Sequence, residues 1–137
     1  MGPIKTTKQV ITQPFKPGTH RGVDLRCVNK IYKNLPVVVT EACLVRRQGT
    51  DGYGNNYLVV EPVVSMHGYK ELKYIHITPT NFQVGQILEE GDIIGKCMIG
   101  GNSNSLHLHF ETWTAAPLKP VYPLEYFRLL KIPYKFK

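Results

Sequence analysis

Leu106-His107-Leu108-His109-Phe110-Glu111 alternates apolar and polar residues without a break. In an extended chain the side chains at i and i+2 point to the same side. His107, His109 and Glu111 therefore share one face, and Leu106, Leu108 and Phe110 share the other. On a helix the two imidazoles would diverge. The stretch reads as a strand with its apolar side toward a core, and it makes a sheet the basis of the fold.

Two further segments follow the same parity. If residues 20–26 are extended, His20, Asp24 and Arg26 occupy one face and Val23, Leu25 and Cys27 the other. In Tyr74-Ile75-His76-Ile77-Thr78 the two isoleucines are expected inward, with Tyr74, His76 and Thr78 outward. Three polar faces, each backed by an apolar one, predict a common groove. Two imidazoles and one carboxylate form a donor set that holds zinc and leaves a fourth position for water. With the metal their combined charge is +1, which keeps bound water acidic enough to ionise near neutral pH. Spacing alone does not say which member of the His107/His109 pair belongs to that set. The imidazole left over, together with His76, suits proton transfer and hydrogen bonding to an oxyanion. Glu111 reads either as a partner behind a ligand or as an ordinary exposed strand carboxylate. His67, beside Gly68, reads as a surface residue.

The remaining sequence agrees with an all-β layout. With 137 residues, 42% of them hydrophobic, the chain suits one compact domain spanning 1–137. Its 10 prolines and 12 glycines are spread along the length, which predicts frequent turns rather than a linker. Valine-rich stretches at 35–40 and 57–64 read as strands around a glycine-rich loop at 48–56. Residues 88–95 read as a tight reversal between two strands, and 100–105 as a polar loop leading into His107. Tyr122-Pro123-Leu124 opens a short helical turn, with Leu124, Phe127 and Leu130 at i, i+3 spacing. The expected architecture is a small antiparallel β-sheet domain with a central active-site groove and a short C-terminal helical turn.

Composition excludes several classes. No apolar stretch approaches the roughly 20 residues of a membrane span, and residues 1–5 open no secretory-type apolar run. Cys27, Cys43 and Cys97 are odd in number and form no Cys-x-x-Cys pair, so they read as small buried thiols in a chain that folds under reducing conditions. The net charge of +7 favours polyanionic partners, but the basic residues are scattered and no nucleic-acid-binding signature accompanies them. Nucleic acid is not expected as a partner, and no motif defines an oligomeric state.

Taken in order, Pro14-Phe15, His20-Arg21-Gly22-Val23-Asp24-Leu25, Gly52-Tyr53-Gly54-Asn55, Tyr74-Ile75-His76, Val84-Gly85-Gln86-Ile87, Gly91-Asp92-Ile93-Ile94-Gly95 and Ser105 with His107-Leu108-His109-Phe110-Glu111 resemble the lysostaphin-type (LytM-like) zinc metallopeptidases. The segment 120–124 is similar to the one that closes those domains. The resemblance implies an endopeptidase of bacterial peptidoglycan that cleaves a cross-bridge or stem peptide. It implies that His20, Asp24 and His109 bind Zn2+, and that His76 and His107 are the free catalytic pair. His107 would be the general base and His76 would stabilise the transition state. The alternative is a non-catalytic, zinc-braced wall-binding or phage structural protein. Action at the cell wall without a signal peptide implies a virion-associated enzyme, one released at lysis, or an excised catalytic domain. Two departures stand out. Gly100-Gly101-Asn102-Ser103-Asn104-Ser105 replaces the family's Gly-x-Thr-Gly-x-Ser-Thr-Gly, and the stretch 14–20 lacks a tyrosine that would support an oxyanion.

Overall fold

A computed structural model describes residues 1–31, 33–65, 67–99 and 105–137. In chain order the elements are β1 (Gln9–Gln13), β2 (Val23–Arg26), β3 (Pro36–Val38), β4 (Cys43–Thr50), β5 (Asn56–Pro62), β6 (Tyr69–Ile75), β7 (Ile87–Leu88), β8 (Ile93–Lys96), β9 (His107–Ala115), β10 (Leu118–Val121), α1 (Pro123–Leu129) and β11 (Tyr134–Phe136). Nine of these strands form one sheet in the order β11-β1-β2-β9-β6-β5-β4-β7, with β10 beside β9, while β3 and β8 pair separately. Every pairing is antiparallel except that of β1 with β11. The fold is the small all-β sheet that the alternation predicts, and the loop residues 100–104 lie outside those described.

β9 is the strand quoted at the outset, and its two faces behave as the pattern requires. Leu108 and Phe110 are completely buried. They meet Val23 and Leu25 of β2 and Leu72 and Tyr74 of β6 in one hydrophobic cluster. Phe127 of α1 stacks on Phe110 with ring centroids 5.8 Å apart, and Tyr74 meets the same ring edge-on at 5.2 Å. Pro123 opens α1 at a position where its missing N–H costs nothing, and Pro123, Leu124, Tyr126 and Phe127 are the helix's buried residues.

Three local expectations need correction. Residues 88–95 do contain a turn, held by Asp92 N–H to Glu89 O at 2.9 Å. Its flanking strands do not pair with each other, however: β7 joins β4 and β8 joins β3. Of the 20–26 stretch, only Val23–Arg26 is strand. In the middle segment the parity is reversed up to residue 75, because Tyr74 is fully buried and Ile75 lines the groove. Simple alternation would then send His76 inward. Instead His76 takes φ +71° immediately after β6 ends, which restarts the alternation, so His76 lines the groove and Ile77 is buried as expected. A left-handed conformation in a non-glycine residue costs on the order of 1–3 kcal/mol and persists only where the surroundings hold it.

The three cysteines are free and buried, as their composition suggested. No helix among the described residues is long and apolar enough to cross a membrane.

One ion pair spans the sheet. Arg47 on β4 reaches over β5 to Glu71 on β6 in a two-pronged contact, Nη1 to Oε2 at 2.8 Å and Nη2 to Oε1 at 3.2 Å. Glu71 is only 7% exposed. The hydrogen bonds from Arg47 outweigh burial and hold its carboxyl below the ordinary glutamate range. A depressed carboxylate pKa stabilises the fold above the unfolded-state value near 4.3 and loses that contribution as pH falls. Because Arg47 is half-exposed, solvent screens the pair. Arg47→Gln is expected to lower stability by about 1 kcal/mol at neutral pH. Denaturant melts of both proteins should show the gap narrowing as pH falls from about 5.3 to about 3.3, on the order of one unit either side of the unfolded value.

Candidate metal centre

The centre is built on the register between β2 and β9. Asp24 stands opposite His109 and Arg26 opposite His107. The carboxylate and the imidazole of the first pair meet directly, with Oδ1 and Nδ1 3.0 Å apart. His107 Nε2 lies 3.5 Å from the other carboxylate oxygen. His20 arrives by a different route. A turn closed by His20 N–H to Lys16 O at 2.8 Å, with Gly18 at φ +81°, swings its ring over Asp24, and Nε2 comes within 3.3 Å of Oδ1. Between these residues the chain passes so near β9 that a Cβ on Gly22 would lie 2.2 Å from the Phe110 carbonyl oxygen. Only glycine fits there.

One donor atom from each of His20, Asp24 and His109 lies within 4.8 Å of the other two. The chemistry of the set suits a cation. His20 Nδ1 donates to Pro14 O at 2.7 Å, which leaves the Nε2 lone pair toward the carboxylate. His109 Nε2 donates to Glu111 Oε2 at 2.8 Å, which leaves Nδ1 toward the same carboxylate. Partners of this kind orient the imidazoles of metal sites and fix their tautomers. The electrostatics agree. Burial pulls the His109 imidazole down, but its bonds to Asp24 and Glu111 prevail and hold it up at about 9. Burial would raise Asp24, yet the hydrogen bond from His109 and the charges of the three nearby histidines keep it low. The site therefore stabilises positive charge between its donors.

Glu111 settles the choice left open by its position in the sequence. It is 6% exposed, accepts from His109, and also accepts from Trp113 Nε1 at 2.7 Å. Lys73 caps the arrangement with its ammonium 3.8 Å from the Trp113 ring centre.

His76 and His107 complete a row of imidazoles. Their rings are 5.1 Å apart, and His76 is 6.3 Å from His109. Burial, with the nearby His107 and His109, drives the His76 imidazole down to about 4. It is neutral at any ordinary pH. His107 Nδ1 pairs with Ser105 Oγ at 3.1 Å. All five residues line one cavity of about 530 Å3, which is the central groove. His67 is exposed and takes no part.

Sequence reasoning missed several contributors. Asp51, Tyr53 and Asn55 line the groove from the loop between β4 and β5. Asp51 Oδ1 gathers that loop by accepting from the N–H groups of Tyr53 and Asn55 at 2.8 and 3.0 Å. Tyr53 is 76% exposed. The glycine-flanked pattern Gly52-Tyr53-Gly54 was the available signal, since glycines there let the loop fold back.

A β-sheet groove carrying a His–Asp–His donor set with two spare imidazoles beside it defines a class of small metallopeptidase-like domains. The chain belongs to Peptidase family M23, whose model matches residues 18–123. The family is zinc-dependent. Among solved structures, Helicobacter pylori Csd3 is 26% identical over 91% of this chain and 32% of its own, with a TM-score of 0.65. A zinc-containing peptidase from Vibrio cholerae is 24% identical over 88% of this chain and 37% of its own, with a TM-score of 0.66. The catalytic domain of the antimicrobial peptidase lysostaphin from Staphylococcus simulans is 22% identical over 86% and 89%, with a TM-score of 0.63. This chain thus spans about a third of the Vibrio and Helicobacter proteins but nearly the whole of the lysostaphin domain. No curated protein sequence matches it.

Glu111→Gln keeps one acceptor but removes the charge behind His109 and leaves two donors competing for that acceptor. Zinc affinity, measured by competition with a chromophoric chelator, is expected to fall about 10- to 100-fold. An unchanged affinity would mean that Glu111 serves Trp113 alone.

Proposed function

We propose that the chain is a zinc-dependent endopeptidase that hydrolyses peptide bonds of bacterial peptidoglycan, in a cross-bridge or a stem peptide. Residues 1–137 constitute its catalytic domain and the bacterial cell wall is its place of action. His20, Asp24 and His109 hold the zinc, and His76 and His107 act on the substrate. One observation carries this reading: three mutually facing donors and two imidazoles outside that set line the same open groove.

When bound, zinc supplies Lewis-acid polarisation and lowers the pKa of water at the site. The protein's own groups do the rest. The groove is wide and open, so an extended peptide reaches the imidazole row. A neutral imidazole on that row takes a proton from the attacking water and returns it to the departing amine. Its neighbour donates a hydrogen bond to the oxygen on which charge develops. The low pKa of His76 keeps it neutral and makes it a weak base, which suits it to hydrogen-bond donation and leaves proton transfer to His107. Behind the reacting groups, Glu111 and the Pro14 carbonyl hold the ligand rings so that they need not reorganise. The net charge of +7 favours residence on an anionic wall.

A purely bracing metal is the weaker reading. Structural zinc sites close all four positions with protein ligands, whereas the described residues bring three donors together here. Lysostaphin, described as an antimicrobial peptidase, offers the same fold for comparison.

The test is mass spectrometry of fragments released from purified peptidoglycans of two cross-link types. Wild type should generate new amino termini at one defined bond. His76→Ala and His107→Ala should each lose at least about 100-fold in rate while retaining one zinc per chain. Chelation should abolish release, and added zinc should restore it. No fragments from either wall, despite one bound zinc, would overturn the proposal.

A further inference from the structure

The sheet face that carries the metal donors does not end at the groove. Tyr57, Ile75 and His109 lie opposite one another across β5, β6 and β9. The next row on the same face is Arg47, Val59, Lys73 and Glu111, across β4, β5, β6 and β9. The two rows are two residues apart along each strand, roughly 7 Å. Over the second row opens a further cavity of about 200 Å3, whose lining includes Arg21, Arg47, Tyr57, Val59, Lys73 and Ile75. Arg21, Ile75 and Glu111 line the groove as well, so the two spaces adjoin.

Three cations meet here, and the carboxylates beside them are engaged by other groups. Glu111 accepts from His109 and Trp113, and Asp51 accepts from the N–H groups of its own loop. Arg47 commits two N–H groups to Glu71, out of the five that a guanidinium carries. The Lys73 ammonium is 3.8 Å from the nearer Glu71 oxygen, too far for a hydrogen bond. Burial pulls Lys73 below the ordinary lysine range; Glu111 and Glu71 oppose this, while Arg47 and Arg21 add to it. Arg21 is exposed, and among the described residues it forms no hydrogen bond or ion pair. The floor beneath these groups is apolar. Val59 is 3% exposed yet stands outside the main hydrophobic cluster, because its side chain belongs to this face of the sheet.

Spare N–H donors around an apolar floor suit a carboxylate carried on a short aliphatic stem. An uncharged peptide would leave those donors to water. We propose that this cavity is a specificity subsite for a free carboxylate of the substrate peptide, about two residues from the bond cleaved, with Arg21 as the principal contact and Lys73 and the spare N–H groups of Arg47 beside it. This rests on reading the groove as the binding site of a wall peptide. It narrows that substrate from any cross-bridge or stem peptide to one that bears an acidic group.

The test uses soluble stem peptides of peptidoglycan in two forms, with their carboxylates free and with their carboxylates amidated. Each is titrated by calorimetry into the zinc-loaded full chain carrying His107→Ala, so that affinity is read without turnover. The free acid is expected to bind about 10- to 100-fold more tightly than the amide. Adding Arg21→Gln should cut that ratio at least about fivefold, and Lys73→Met should act in the same direction. Arg21 bonds to nothing in the fold, so its variant decides the outcome if Lys73→Met does not fold. Peptides amidated only at the side chain or only at the terminus then tell which carboxylate is read. Equal binding of the two forms overturns the proposal. A preference that survives Arg21→Gln also overturns it, since the carboxylate would then sit elsewhere, on the metal for instance. In wild type the same preference should appear in kcat/KM. If wild type cleaves neither form while the binding preference holds, the enzymatic reading fails and the subsite stands.

Discussion

The pairing of β2 with β9 is the constraint on which the rest depends. It sets Asp24 against His109 at 3.0 Å and places His107 beside the same carboxylate. A slip of one residue would send every one of these side chains into the core. The slip is prevented from the other side of the same strands, where Val23, Leu25, Leu108 and Phe110 are fully buried. Core and site are therefore not separate achievements of the fold. The apolar alternation that drives the sheet together also fixes the polar alternation that faces the groove, and Gly22 removes the one atom that would hold the strands apart.

How much of this was legible in the sequence depends on how local the determining physics is. The β9 pattern has strict period two over six residues, so both faces were readable at once. The C-terminal helix was visible for the same reason, from the spacing of Leu124 and Phe127 after Pro123. His20 does meet Asp24, but not by the route that parity suggests. Its ring reaches Asp24 through a closed turn and not along an extended strand. His76 was likewise placed at the groove by a parity that fails at Tyr74 and Ile75, and a single left-handed residue restores the outcome. No alternation pattern encodes that reset. It depends on where β6 stops, which is decided by its neighbours β5 and β9 across the sheet.

Glu111, Asn55 and Pro14 O illustrate what sequence patterns leave out. A face can be read from parity, but a partner cannot. Glu111 shares a face with His109 in any strand. Whether it points at that ring, at Trp113 or into water depends on rotamers set by the neighbouring strands. A backbone carbonyl such as that of Pro14 has no sequence signature at all, yet it determines which nitrogen His20 presents.

The sheet is wide, and wide sheets invite trouble at their margins, where unpaired N–H and C=O groups recruit other strands. Here the outermost strands are the shortest: two residues in β7 and three in β11, against nine in β9 at the centre. β11 ends among lysines and lies parallel to its neighbour. A passing chain thus finds little backbone to join at either margin. The long strands that build the groove sit inside, away from those margins.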